Sequence, residues 1–282
     1  MKLLRYGPSG QEKPALAAAD GSLRDLSQHV LDINPRTLER KALDELRALD
    51  PLSLPRVEDG VRIGTPIANI GKLICVGLNY ADHAKESNLP VPSEPVLFMK
   101  ATSAICGPND AVIIPRGSEK TDWEVELGIV IGRKAQYVER EQALEHVAGY
   151  CIVNDVSERA YQLERGGTWD KGKGCDTFAP IGPWLVTADE ITDLRNLDLR
   201  LSVNGELRQQ GNTRTMIFSI DEIVSYISQF MTLNPGDVIC TGTPPGVGAG
   251  MQPPQFLKPG DRMRLSISGL GEQRQNVVAW QR

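Results

Sequence analysis

The chain has 282 residues, with 31 Lys plus Arg against 36 Asp plus Glu, a formal net charge of −5 and 40% hydrophobic residues. That length bounds it to one large domain, or a small domain joined to a larger one, with core enough to need neither disulfides nor a structural metal. The 24% charged fraction excludes a disordered chain, and an acidic balance without any basic stripe gives no reason for a nucleic-acid partner.

In chain order, apolar runs over 3–6 and 14–18 flank a Gly/Ser turn, and Asp20-Gly21 supplies another, so a small antiparallel meander is expected. Leu38, Ala42, Leu46 and Leu49 recur at helical spacing and stop at Asp50-Pro51, predicting a helix over 37–49. The stretch 52–56 reads as a linker, which puts a small N-terminal domain at 1–65 and the main body at 66–282. In that body, strands are expected over 73–78, 124–131, 149–155, 199–203, 238–241 and 263–267. A helix over 219–231 is marked by Ser219 and Glu222 as a capping box, with Ile220, Ile223, Val224, Ile227 and Phe230 on one face. Few helices separate the strands, so a β-rich α+β fold is expected rather than a doubly wound parallel sheet.

No apolar run approaches the roughly 20 residues needed to span a bilayer, so no membrane partner is expected. The N-terminus breaks into charge and Pro8-Ser9-Gly10 too early for a signal peptide. Five scattered cysteines without a Cys-x-x-Cys pair point to a reducing cytoplasm, and the three in β-like runs read as buried, inert thiols.

Glu124 and Glu126 lie two apart in a predicted strand, so both carboxylates leave one face of it. Two acids on an apolar strand need a divalent cation, basic side chains or exposure to water to compensate them. Asp155 ends the apolar run 150–154, at a separation that lets this strand return beside the first. Three carboxylates without Cys or His form a hard, all-oxygen set suited to Mg²⁺, Mn²⁺ or Ca²⁺, with positions left for water or substrate. A helix capped by Ser157 and closed by Gly166-Gly167 is expected next. On it Arg159 and Gln162 share a face, suited to a carboxylate or carbonyl ligand or else simply exposed. His83 and Glu86 are three apart on a predicted short helix. They form either a general base with its orienting carboxylate or a surface histidine with an incidental neighbour. Lys171 and Lys173 fall in a glycine-flanked loop, and the proline-rich stretch 89–95 is a candidate lid.

Taken together, these segments resemble the fumarylacetoacetate hydrolase family. The carriers are Gly77-Leu78-Asn79-Tyr80 with His83 and Glu86, Phe98-Met99-Lys100, Asp122-Trp123-Glu124-Val125-Glu126-Leu127, and Asn154-Asp155-Val156-Ser157 with Arg159 and Gln162. Lys173, Asp176-Thr177-Phe178, Gly182-Pro183 and Thr241-Gly242-Thr243-Pro244 follow in order. The resemblance implies a mixed β-sandwich roll with a small N-terminal domain, assembled as a homodimer or higher homo-oligomer. It implies Mg²⁺ or Mn²⁺ on Glu124, Glu126 and Asp155, a water-activating dyad of His83 and Glu86, and a catalytic and substrate-binding Lys173. Arg159, Gln162 and Thr243 fall on substrate-contacting positions. The implied activity is cleavage of acylpyruvates and related small 2-oxo acids to pyruvate and a second acid. Residues 2–7 and 171–178 are most similar to bacterial members acting on 2,4-diketo-3-deoxy-L-fuconate or -rhamnonate. Ureidoglycolate lyase, oxaloacetate decarboxylase and a non-catalytic metal or sugar-acid binding protein are the alternatives.

Overall fold

In the computed structural model the described residues are 1–82 and 91–282. Residues 83–90 lie outside them, and with them the His83–Glu86 dyad and the first two positions of the candidate lid.

The strand Val125–Ile131 is buried at all seven positions. A strand covered on both faces reads as a continuous apolar run, which is why Glu126 within it stands out. Val147–Asn154 pairs antiparallel on one side of it and Val238–Cys240 antiparallel on the other. Leu73–Gly77 then runs parallel to Val238–Cys240, and Val96–Lys100 closes that edge. Beyond Val147–Asn154 lies Ala179–Thr187, followed by the meander Lys2–Tyr6, Lys13–Ala17 and Leu23–Asp25. The segment 1–65, expected as a small N-terminal domain, is therefore joined to the main sheet along Lys2–Tyr6, where Leu3 pairs with Leu185.

A five-stranded sheet forms the second layer, in the order Glu206–Asn212, Asp198–Val203, Arg262–Ile267, Gly271–Ala279 and Val112–Ile114. Asp198–Val203 and Arg262–Ile267 alternate exposed and buried residues, turning Leu199, Leu201, Val203, Met263, Leu265 and Ile267 into the core. Hydrogen bonds from Gln273 Nε2 to Ile152 O (2.9 Å) and from Asn154 Nδ2 to Gln275 Oε1 (3.2 Å) tie the layers together. The architecture is the strand-rich α+β fold expected.

The helices depart from expectation in ways that local bonding explains. The first spans Arg40–Arg47. Thr37 and Leu38 belong to the preceding turn, where Thr37 Oγ1 donates to Asp32 O and the Leu38 N–H to Asn34 O. The last spans Ile220–Ser228 and buries Ile220, Ile223, Val224 and Ile227, but Phe230 lies beyond it and is 62% exposed. Ser219 occupies the N-cap without a capping bond, because its Oγ accepts from Arg140 Nη2, and Glu222 pairs with the same arginine. No described helix is long and apolar enough to cross a membrane.

Cys75, Cys151 and Cys240 are buried in the large sheet, and burial pushes the Cys151 thiol up to about 12. A thiol reagent at neutral pH should leave these three unmodified in the native protein and label them only after unfolding, as read by peptide mass mapping. Rapid native labelling of any of them would contradict this packing.

Candidate metal and substrate site

Glu124 immediately precedes Val125–Ile131 and Glu126 lies within it, so the period of the strand sends both carboxylates to one side. Asp155 follows Val147–Asn154. The register Asn154↔Val125 and the bond from Asp155 N to Glu124 O (2.9 Å) set it beside them. One oxygen from each of the three lies within 4.8 Å of the others, and the residues are only 5%, 2% and 0% exposed. Of the compensations open to paired acids on a strand, a freely solvated sheet face is thus removed.

Basic side chains surround the trio. Lys100, the last residue of Val96–Lys100, donates from Nζ to Asp155 Oδ1 and to Val156 O (3.0 Å). Lys173 donates to Glu124 Oε2 (2.8 Å) and Asp155 Oδ2 (2.7 Å). It sits on the short helix Asp170–Lys173 where a loop was expected, and is 2% exposed. Lys171 instead faces outward and donates to Arg165 O. Arg159 donates from Nη2 to Glu124 Oε1 (2.7 Å), from Nε to Asp122 Oδ2 (2.8 Å) and from Nη1 to Gln162 Oε1 (3.0 Å).

The expected Ser157 cap is corrected. Ser157 lies in the two-residue strand Ser157–Glu158, paired with Thr121–Asp122, and its Oγ donates to Asp155 O. Glu158 caps the helix Arg159–Leu163 in its place by accepting from Ala160 N.

Asp122, Glu124, Glu126 and Asp155 thus face Lys100, Lys173 and Arg159, one acid in excess among the described residues. The excess falls on Glu126. Burial, then the charges of Asp155 and Glu124, hold its carboxyl well above the usual carboxylate range. Burial disfavours the Lys173 charge, yet Asp155 and Glu124 hold its ammonium above the ordinary lysine value. An all-oxygen donor set with one more acid than cations among the described residues fits a hard divalent cation.

Glu124 and Glu126 open on a cavity of about 600 Å³ that Arg159, Gln162, Lys173 and Thr243 also line. Gly242 N donates to Glu126 Oε2 (2.9 Å). The Thr243 hydroxyl donates to Val125 O (2.9 Å) and accepts from Gln209 Nε2 (2.8 Å), so it positions its loop as well as lining the cavity. In the cavity lining Leu78 takes a left-handed φ of 56°, a conformation that costs a non-glycine residue roughly 1–2 kcal/mol. Asn79 holds that turn by bonding Phe218 and Thr241 backbone groups. His83 and Glu86 lie outside the described residues.

The profile of the fumarylacetoacetate (FAA) hydrolase C-terminal family matches residues 72–278. The chain belongs to the fumarylacetoacetate hydrolase family. A relative from Burkholderia lata, provisionally named a hydrolase, is 60% identical over 98% of this chain and 99% of its own. The fumarylacetoacetate hydrolase of Exiguobacterium antarcticum shares 38% identity with a TM-score of 0.86, over 99% of this chain and 100% of that one. The maleylpyruvate hydrolase of a Sphingobium species, solved with manganese(II) and pyruvate, shares 30% identity with a TM-score of 0.81 over the whole of both chains.

Two residues of this cluster have no role assigned from sequence. Asp122, 0% exposed, accepts from Arg159 and from the backbone of Trp123, Gly248 and Ala249, so it fixes both the guanidinium and the loop that walls the cavity. Its only sequence signal is closeness to Glu124, because Asp122 lies in the separate strand Thr121–Asp122 and not in Val125–Ile131. Lys100 had only a weak one: a lysine closing an apolar strand.

Proposed function

We propose that this family member is a divalent-metal-dependent hydrolase that cleaves the C–C bond of a 2,4-dioxo (acylpyruvate-type) acid. The observation carrying this reading is the buried carboxylate trio, two of whose members line a substrate-sized cavity with Arg159, Gln162 and Lys173. A bound Mg²⁺ or Mn²⁺ supplies Lewis-acid polarisation of a substrate oxygen. Further guanidinium N–H groups of Arg159, with the Gln162 amide, bind the 2-oxo acid end. Lys173 Nζ stabilises the enolate charge that develops on the pyruvate half. His83, oriented by Glu86, takes a proton from the water that attacks the distal carbonyl. The bond between C3 and C4 then breaks, C3 gains a proton, and pyruvate leaves with the second acid. Within this class the sequence resemblance favours 2,4-diketo-3-deoxy-L-fuconate or -rhamnonate, which would yield lactate. Assembly as a homodimer belongs to the same proposal and is read by light scattering.

Metal-stripped protein should release pyruvate from an acylpyruvate only after Mg²⁺ or Mn²⁺ is restored. His83→Ala should slow that release by about 10²–10⁴-fold while sparing metal binding. Undiminished hydrolysis by His83→Ala would remove the base from this scheme. Metal-dependent oxaloacetate decarboxylation alone, insensitive to His83, would replace hydrolysis with a reaction needing no activated water.

A further inference from the structure

The strand that carries Glu126 loses a neighbour where the site begins. Val238–Cys240 pairs with Val125–Ile131 from Val130 to Gly128, and Thr241 N then donates to Leu127 O (3.0 Å). Alternation along a strand turns the backbone groups of Val125 to the same side as those of Leu127. Residues 241–247 are no longer strand, and at Val125 side chains complete the ladder instead. Gln209 Oε1 accepts from Val125 N (3.0 Å), and the Thr243 hydroxyl donates to Val125 O (2.9 Å). Gln209 Nε2 closes the ring by donating to Thr243 Oγ1 (2.8 Å), and it also donates to Pro244 O (2.8 Å).

Gln209 reaches this point from the other layer. Its strand, Glu206–Asn212, is exposed at Glu206, Leu207 and Gln210, yet the Gln209 side chain is 0% exposed. A buried amide is costly unless its polar groups are paired, and here the oxygen and the amide nitrogen both have partners. The loop lies directly on this strand. A Cβ on Gly246 would lie 1.9 Å from Arg208 O, and one on Gly211 would lie 2.3 Å from Pro244 Cβ. Only glycine allows so close an approach.

Val125 N belongs to the peptide unit shared with Glu124, and Val125 O to the unit shared with Glu126. Fixing both units fixes the directions in which the two carboxylates leave the chain. Through Thr243 and Pro244 the same amide also holds the loop whose Gly242 N donates to Glu126 Oε2 (2.9 Å). We propose that Gln209 is a positioning residue, which sets Glu124 and Glu126 for a divalent cation and Thr243 for its place in the cavity lining. This rests on the metal-dependent reading above, and on no choice of acyl group. Ligand groups must be held to within about 0.5 Å of their working geometry. Removing a residue that orients metal ligands typically weakens metal binding by about 10–100-fold.

The test compares Gln209→Met, which keeps the side-chain length and removes all three bonds, with a matched control. Gln273→Met is that control. Gln273 is also 0% exposed in the second sheet, and it donates to Ile152 O, Pro180 O and Gly182 O, none of them in a peptide unit of the trio. Calorimetry on metal-stripped protein gives the Kd for Mn²⁺, and hydrogen exchange gives the protection of segments 124–127 and 241–246. Gln209→Met should raise Kd by about 10–100-fold and speed exchange in both segments. Gln273→Met should lower the thermal midpoint as well, but change Kd by less than about threefold. Thr243→Val opens the same ring from its other side and should also weaken Mn²⁺. The two losses should not add, so the double variant should stay within about threefold of Gln209→Met. A Kd for Gln209→Met as close to wild type as that of Gln273→Met, or additive losses in the double variant, overturns the assignment. If Gln209→Met does not fold, Thr243→Val decides, and an unchanged Kd there overturns it. If the wild-type protein binds no Mn²⁺, the metal reading fails and exchange alone judges Gln209. Faster exchange of both segments in the variant then upholds its hold on the strand and loop, and unchanged exchange overturns it.

Discussion

Glu126→Gln should eliminate the rise in thermal midpoint that Mn²⁺ or Mg²⁺ produces in the wild-type protein, and reduce metal-dependent turnover by at least about 10³-fold. A cation present at 100 times its Kd stabilises the native state by about 2.7 kcal/mol, which for a chain of this size is roughly 5–10 °C. Charge stabilisation by a bound cation is worth several kcal/mol in the transition state, hence the size of the loss in turnover. The metal-free variant should melt within about 2 °C of wild type. Glu126 is the acid whose ionisation is suppressed by burial and by Asp155 and Glu124, so a neutral isostere resembles its metal-free form. Gln also retains an acceptor for Gly242 N. Thermal melts with chelator and with metal, run beside the pyruvate assay, check both halves. A metal shift of wild-type size in this variant would show that the cation, if bound, is not held by this trio.

Lys100→Met should be the most destabilising single change in the site. The Lys100 and Asp155 side chains are each 0% exposed, and breaking a buried pair by removing one partner costs about 3–5 kcal/mol because the other charge stays behind. The loss also strands Val156 O, to which Lys100 donates. A fall in midpoint of roughly 10 °C is expected without metal. Because a divalent cation replaces the missing positive charge, added Mn²⁺ should recover part of that fall and shift the variant more than the wild type. Lys171→Met provides the contrast, within about 0.5 kcal/mol of wild type, since Lys171 is exposed and bonded only to a backbone oxygen. A Lys100→Met protein as stable as Lys171→Met, with an ordinary metal shift, would refute the charge balance described for the cluster.

The two variants differ in how much of their context is local. The strand period places Glu124 and Glu126 on one side, and an acid closing the next strand of the large sheet places Asp155 at its end. Those inferences need only alternation and antiparallel return. Asp122 lies in the separate strand Thr121–Asp122, and its role follows only once Arg159 is brought to it. Lys100 is different: it lies 55 positions from Asp155, and their meeting depends on Val96–Lys100 being the edge strand beyond Leu73–Gly77. No local pattern encodes that.

Local signals also misled where tertiary bonds outcompeted them. Ser157 has the residue type of a cap, but pairing with Asp122 takes its backbone into a strand, and Glu158 does the capping. Ser219 and Glu222 have capping-box spacing, yet Arg140, distant in sequence, claims both side chains. Phe230 continues a helical stripe on paper, although the helix has ended at Ser228.

By itself the sequence determined the strand-rich class, the family, and which three carboxylates converge, because alternation and strand order are properties of neighbouring residues and their succession. Only the tertiary structure decided that these acids are buried, that among the described residues Lys100, Lys173 and Arg159 balance all but one of the acids around them, and that Phe98 and Trp169 line the same cavity as Glu124 and Glu126. Burial and charge pairing are set by what lies across the fold, and desolvation there turns an ordinary lysine or glutamate into a group whose charge the whole site must accommodate.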